Sequence, residues 1–471
     1  MPYRDLREFI ARLEEENELR RVKVQVDPIF EVGTIIRKVF DCQGPALLFE
    51  NVKGSNIPLV TGLLGTFKRY ALGIESAPDL RSILKEALKA AKEPLVPRVI
   101  KEGPCQQNIL QGSDVDLNIF PVPFWHSLDA DRFVGTLGVV ITRDPETGIR
   151  NMGIYRQQVQ GRNVTGLLAT QSIGRILNKY AARGQSMPVA TAIGVEPAIL
   201  AAACIRAPLG VDELAIAGAL RGEPVELVRC KSIDLEVPAF SEIILEGEVP
   251  PDPTQWKMEG PFGEFTGYYG GPVSVKPTIT LKSVTFRDNP IFQGTPPGRP
   301  PSEDNTLRTV GHTVGAWLKV SQAKIPGFKE LLLTPGACAN FVAVISLEKQ
   351  YYLGNARQAI YAFWALEENA GKWTIVVDDD IDIFDPGQVE WALATRVQPH
   401  RDIIISSDRE PGIGLDPSIA PLDREYPNVR ACRIGIDATK GFKGFEFPPE
   451  IRSRVEDLKR VEKRWKEYGI D

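Results

Sequence analysis

A chain of 471 residues, 43% hydrophobic and 25% charged, has the composition of a folded globular protein and a length that suits two or three domains. Its net charge of −5, from 56 basic against 61 acidic residues, speaks against a nucleic-acid binder, which carries a basic face. Six scattered cysteines with no CxxC pair exclude a zinc ribbon or a disulfide scaffold and point to a reducing, cytoplasmic setting.

The opening residues, MPYRDLREF, are charged at once, so no secretory signal is expected. Residues 5–19 read as an amphipathic helix, with Leu6, Phe9, Ile10 and Leu13 on one face. ALLFEN, residues 46–51, reads as a buried strand, and residues 79–91 as a second helix. These elements predict a first α/β domain that ends near residues 111–116. Residues 133–292 look strand-rich, interrupted by one helix at 172–184. Within them, residues 278–286 alternate apolar and polar side chains, as a half-buried antiparallel strand does. The most apolar stretch, residues 188–208, is broken by Glu196 and Arg206, so no membrane span is expected. Glycine and proline crowd residues 294–302 and mark a boundary. After it, helix 306–324, strand 341–346, helix 355–367 and strand 374–378 alternate, which predicts a second α/β domain. At the end, Ile451, Val455, Leu458, Val461 and Trp465 recur at helical spacing. Such a stripe must be buried against the chain's own body or a partner chain. The expected division is 1–115, 116–304, 305–445 and a C-terminal helix in 446–471.

Several chemistries lack support. Only three histidines occur, His126, His312 and His400, so neither a Ser-His-Asp triad nor an HExxH zinc site is indicated. There is no GxxxxGK[ST] phosphate loop, and no GxGxxG follows a strand. His126, in PVPFWHSLDADRF, reads as a partly buried structural histidine. The cluster Asp378, Asp379, Asp380 and Asp382 would suit Mg²⁺, but it reads first as a solvated strand end.

Three segments remain. In the first, RNMGIYRQQ, Gly153 allows close backbone approach to a ligand, and Arg156 offers a planar fork for a carboxylate or phosphate. In the second, GVDELAIAGA, Glu213 opens an apolar run, so it stands at a helix start or is held by a cation. The third, EGPFGEFTGY, holds Glu259 and Glu264 beside Phe262 and Phe265, and aromatic neighbours can desolvate a carboxylate and raise its pKa. Taken singly, each has a plain alternative: Arg156 as a surface ion-pair residue, Glu259 and Glu264 as exposed turn carboxylates.

Together these segments resemble the UbiD family of decarboxylases. The resemblance runs from DLREF to the terminal RWKEYG, through ALLFEN, DPETG-x-x-N-M-G-I-Y-R, DLEVPAFSEIILEGE, EGPFGEFTGYYGG, VVDDDIDIF and EWALATR. It implies an N-terminal α/β domain, a central split β-barrel related to flavin reductases, and a C-terminal α/β domain whose last helix reaches over a neighbouring protomer. It implies prenylated FMN, made by a separate flavin prenyltransferase and held by its phosphate through Mn²⁺, often with K⁺ nearby. Cofactor contacts would fall on Asn151, Met152, Gly153, Ile154, Tyr155, Arg156, Gln171, Ser172 and Glu213, with Asn151 and Glu213 on the metal. Arg156, Glu259 and Glu264 would be the catalytic set. Arg156 would orient the substrate carboxylate. Glu259, paired with Arg156, would stay ionised, and Glu264, neutral through burial, would donate the proton.

There are two departures from the family's pattern. Ser172 stands where the family often places a metal-binding histidine, and a hydroxyl is a poorer Mn²⁺ ligand. Arg206 stands where similar enzymes carry an apolar residue or proline near the flavin; it either bridges a surface acid or binds an extra anionic group on the substrate.

The leading expectation is a non-oxidative, reversible decarboxylase of an α,β-unsaturated or (hetero)aromatic carboxylic acid, working as a homodimer or larger homo-oligomer. A non-catalytic flavin-binding subunit of a larger carboxylase is the alternative, supported by Ser172. An ordinary flavin reductase would leave EGPFGE unexplained.

Overall fold

The structure, a computed structural model, describes residues 3–207, 210–271, 273–367, 370–424 and 429–470. The first helix, Leu6–Glu15, is started by Asp5, whose carboxylate accepts the backbone N–H groups of Arg7 and Glu8 at 2.9 and 3.0 Å. It buries Leu6, Phe9, Ile10 and Leu13, the stripe visible in the sequence. Asp79 caps the helix Leu80–Lys92 in the same way. Between these helices the buried strand Ala46–Phe49 pairs parallel with Leu19–Val22 and antiparallel with Leu59–Thr61. Strand Phe292–Gln293 completes this sheet, so the chain returns to it after the whole central region.

The central region is an eight-stranded antiparallel sheet. Its path runs from Arg150–Ile154 through Val139–Arg143, Met187–Ile193, Ile243–Val249 and Thr278–Phe286 to Val164–Gly166 and Val159–Gly161. Asn108–Gln111 pairs with the second half of Thr278–Phe286. That cover explains why the strand alternates only through Leu281, between exposed Thr280 and Lys282, and is then buried at Ser283, Val284 and Thr285. Among the described residues no ladder joins the two ends of the path, so the sheet is open.

Three helices interrupt this region, not the one expected: Gln171–Ala182, Pro197–Ala203 and Glu213–Arg221. All seven residues of Pro197–Ala203 are buried, as are Glu213 through Gly218. A helix enclosed on all sides has no polar face, and so leaves no 3.6-residue pattern to read.

The long helix Glu303–Gln322 joins the parts. Ser302 caps it, and the buried Glu303 accepts the backbone N–H groups of Gly62 and Leu64, each at 2.8 Å. The start of this helix is thereby locked to the N-terminal domain. Its far end packs Ala316 and Val320 into the C-terminal core. There a mixed sheet runs Phe328–Leu333, Val342–Leu347, Trp373–Asp378, Ile434–Asp437, Ile403–Ile405. The terminal helix covers only Val455–Lys463 and buries nothing: Val455, Leu458 and Trp465 are 63, 47 and 47% exposed. No helix among the described residues is long and apolar enough to cross a membrane.

Candidate active site

Two small hairpins, Lys257–Glu259 with Ser274–Lys276 and Phe262–Gly263 with Tyr269–Gly270, set Glu259 and Glu264 on either side of one guanidinium. Arg156 meets Glu259 Oε1 through Nε at 2.9 Å and Nη2 at 2.7 Å, and binds Glu264 Oε1 through Nη1. The three side chains are 10, 0 and 8% exposed, which removes the surface-pair and solvated-turn alternatives. The loop between the carboxylates is anchored by Gly260 N–H to Gln158 at 2.9 Å and Gly263 N–H to Asp129 at 2.8 Å. Asp129 also holds His126 Nδ1 at 3.1 Å. A Cβ on Gly263 would lie 2.5 Å from that ring nitrogen, so only glycine fits where the histidine braces the loop.

Burial raises the pKa of Glu259, and the attraction of Arg156 only partly offsets it. Its Oε2 is buried without a hydrogen-bond partner. Burial also works against the charge of Arg156, but Glu264 and Glu259 outweigh it and hold the guanidinium protonated. Arg156 thus joins Glu259 and Glu264, as the expected Glu-Arg-Glu set requires, while burial raises Glu259 despite its pairing, against the expectation that pairing keeps it ionised. A guanidinium has enough donors for two carboxylates, and both are used. The two acids differ in surroundings. Gly270 lies between Glu264 and the C-terminal domain: a Cβ there would lie 2.7 Å from Glu264 Cγ and 2.8 Å from Leu415 Cδ2. Phe265 stacks on Phe341 of that domain at 6.4 Å.

The second cluster lies at the edge strand Arg150–Ile154. Glu213 is the first residue of its helix, behind the capping Asp212, which Arg150 holds at 2.6 and 2.9 Å. Its Oε1 accepts Asn151 Nδ2 at 3.3 Å and its Oε2 accepts Met152 N–H at 2.9 Å. Among the described residues no basic side chain pairs with it, and burial pushes its pKa up to about 8. Asn151 Oδ1 is buried with no partner. A buried carboxylate beside an orphaned carbonyl oxygen is a donor pair that suits a hard divalent cation. No group of three His, Cys, Asp or Glu among the described residues is arranged to hold a metal ion, so such an ion would draw its other ligands from phosphate and water.

Gly153 packs against its own strand. A Cβ there would lie 2.7 Å from the Tyr155 ring, so the close approach is made by that ring. Tyr155, its pKa raised by burial, meets the backbone N–H of Ile173 and lies within electrostatic reach of Glu213. Gln171 and Ser172 open the helix Gln171–Ala182. Ile154 is half-buried on the same strand as Gly153.

Three family models match nearly the whole chain. The N-terminal domain of 3-octaprenyl-4-hydroxybenzoate carboxy-lyase matches residues 10–88, its Rift-related domain 98–300 and its C-terminal domain 306–438. The chain belongs to the UbiD family. It is similar to the UbiD-class enzyme HmfF from Pelotomaculum thermopropionicum in complex with FMN, at 35% identity and TM-score 0.83, over 97% of this chain and 99% of that one. An evolved dimeric form of HmfF in complex with prFMN is 33% identical, with TM-score 0.81, over 97 and 100% of the two chains. The closed form of vanillic acid decarboxylase from Sedimentibacter hydroxybenzoicus is 28% identical, with TM-score 0.89, over 100% of both.

In this UbiD-family chain Arg206 is engaged internally. It donates to Glu367 Oε1 at 3.1 Å while Lys319 holds Oε2 at 2.9 Å, and Glu367 is 1% exposed. The acid it bridges is buried, not on the surface. The aspartate cluster is a solvated strand end only at Asp379, which is exposed, while its other members are half-buried in ion pairs. Buried Arg396 reaches Asp378 and Asp380 at 3.3 and 2.9 Å, Lys440 reaches Asp380 at 2.6 Å, and Arg81 reaches Asp382 at 2.9 Å.

Sequence reading missed Asp304 and Arg308. The Arg308 guanidinium lies 4.0 Å over the Phe265 ring, and Asp304 lies within electrostatic reach of Glu264. The signal existed: behind the cap at Ser302, positions 304, 308 and 312 share one helix face.

Proposed function

We propose that this UbiD-family protein is a non-oxidative, reversible decarboxylase of an α,β-unsaturated or (hetero)aromatic carboxylic acid, working with prenylated FMN. The observation that carries this reading is the single guanidinium of Arg156 held between two carboxylates that are sealed from water. Asn151 and Glu213 would hold a divalent cation, Mn²⁺ by family resemblance, which neutralises the cofactor phosphate. Residues 152–156, Gln171 and Ser172 would border the cofactor, with K⁺ a further ion of the site. When bound, prenylated FMN supplies the electron sink for the carbon that loses CO2.

The chain's own residues manage the proton. Loss of CO2 leaves an electron pair on carbon, and a nearby carboxylic acid must protonate it. Glu264, near Leu415 across Gly270, would face the substrate, whereas the fully buried Glu259 would hold the other side of Arg156. Arg156 keeps both carboxyl groups oriented. Phe262 and Phe265, 1 and 2% exposed, keep water from the site. In the reverse direction the same carboxylate would accept the proton.

A non-catalytic subunit has no use for a buried acid–base set, and solved structures to which the chain is similar are enzymes. The exposed stripe of the terminal helix supports a homodimer or larger homo-oligomer. Six unpaired cysteines support a cytoplasmic setting, where a flavin prenyltransferase would supply the cofactor. The test is protein co-expressed with a flavin prenyltransferase, its absorption spectrum, and CO2 release from a panel of unsaturated and aromatic acids. Cofactor-loaded protein that releases no CO2 from any of them would sink the proposal.

A further inference from the structure

The four residues between Glu259 and Glu264, Gly-Pro-Phe-Gly, carry no polar side chain. The spacing of the two carboxylates is therefore set by what grips this loop from outside. Gln158 takes the N–H of Gly260 at 2.9 Å. The rest of the grip comes from one turn, residues 126–130. Asp129 Oδ1 accepts the N–H of Gly263 at 2.8 Å, and Ala130 gives its own N–H to the carbonyl oxygen of Pro261 at 2.8 Å. Leu128 N–H reaches the hydroxyl of Tyr269, in the strand paired with Phe262–Gly263, at 3.1 Å.

The turn is itself built round the carboxylate of Asp129, a side chain closed to solvent. Its Oδ2 accepts the backbone N–H of His126 at 3.0 Å and meets the ring Nδ1 at 3.1 Å. A carboxylate only accepts, so it fixes Nδ1 as a ring nitrogen that carries hydrogen. The ring, so oriented, lies against the loop: a Cβ on Gly263 would meet its Nδ1, Cε1 and Cγ at 2.5, 2.8 and 2.9 Å. Its centroid is 6.0 Å from that of Phe262, edge to face, and the Arg156 guanidinium lies 5.5 Å over the Phe262 ring. The pair thus bears on Glu264 through Gly263 and on Arg156 through Phe262. We propose that Asp129 and His126 are positioning residues for the proton step: they act through the loop, and hold Glu264 on Arg156 in the place from which it delivers its proton. This rests on the decarboxylase reading above.

Asp129→Asn puts an NH2 where an oxygen now accepts, so it confronts the N–H of either Gly263 or His126. His126→Phe keeps a ring without Nδ1–H, and His126→Gln keeps an N–H donor. A misplacement of about 1 Å costs roughly 10²-fold in rate, so in cofactor-loaded protein Asp129→Asn and His126→Phe should each lower kcat roughly 10- to 100-fold and leave KM within about threefold. Exchange of the product's hydrogen with deuterated solvent should slow by a similar factor, and His126→Gln should recover part of both. Flavin content and unfolding midpoint check that each variant folds. Wild-type kcat and exchange in the folded variants would overturn the proposal, as would a loss confined to KM, which would move the pair to substrate binding. Crystal structures of wild type and Asp129→Asn give a readout independent of turnover: Glu264 should leave Arg156 in the variant, and an unmoved Glu264 would overturn the proposal. If wild-type protein released no CO2 from any acid, the decarboxylase reading would fail, and the position of Glu264 in those structures would decide the role of the pair by itself.

Discussion

The side-chain amide of Asn151 gives its N–H to Glu213 at 3.3 Å and leaves its own carbonyl oxygen buried without a partner. Glu213, raised by burial from 4.5 to about 8, is itself without a cation. Below pH 4.5 the group is protonated in both the folded and the unfolded chain. Between 4.5 and 8 only the unfolded chain is ionised, so metal-free protein loses stability as pH rises across that window. A bound cation displaces the proton, so apparent Mn²⁺ affinity should climb by up to roughly tenfold per pH unit below 8. Chelator-buffered Mn²⁺ titrations and unfolding midpoints from pH 5 to 8 check both trends. Glu213→Gln should abolish stoichiometric metal and remove its share of the pH slope; full metal content in that variant would end the assignment.

Glu264→Gln should lower turnover by about 10²–10⁴-fold, the usual contribution of a general acid, with cofactor content intact. It should also suppress exchange of the product's hydrogen with deuterated solvent. Near-normal turnover and exchange would pass the role to Glu259, whose raised pKa and unpartnered Oε2 also suit a proton carrier.

Arg206→Ala should act on stability. Removing one partner of a buried charge costs ~3–5 kcal/mol when nothing replaces it. Lys319 stays on Glu367, so the loss should be smaller, about 1–3 kcal/mol. Chemical denaturation measures it. A changed preference between monoacids and diacids at unchanged stability would return Arg206 to the substrate.

The helix Val455–Lys463 should lie against another chain. Full-length protein at micromolar concentration should scatter light as a dimer or larger, and removal of residues 451–471 should lower that mass. A monomeric full-length protein would contradict the expectation.

Much of the fold was legible because its signals are local. Asp5 and Asp79 cap helices through N–H groups two or three residues on, and the stripe Leu6, Phe9, Ile10, Leu13 repeats at helical spacing. Pro197–Ala203 was not legible, because a helix buried on every side has no polar face to mark its period. The sequence by itself determined which residues are proposed to carry the chemistry: Arg156, Glu259, Glu264, Asn151 and Glu213 all stand in motifs readable along the chain. Only the tertiary structure decided how their charges are spent. One guanidinium serves two carboxylates 103 and 108 positions away, Arg206 is claimed by an acid 161 positions away, and Arg308 lies over the ring of Phe265. Ion pairing depends on distances of a few ångströms, and those exist only once the sheets and helices have brought distant segments together.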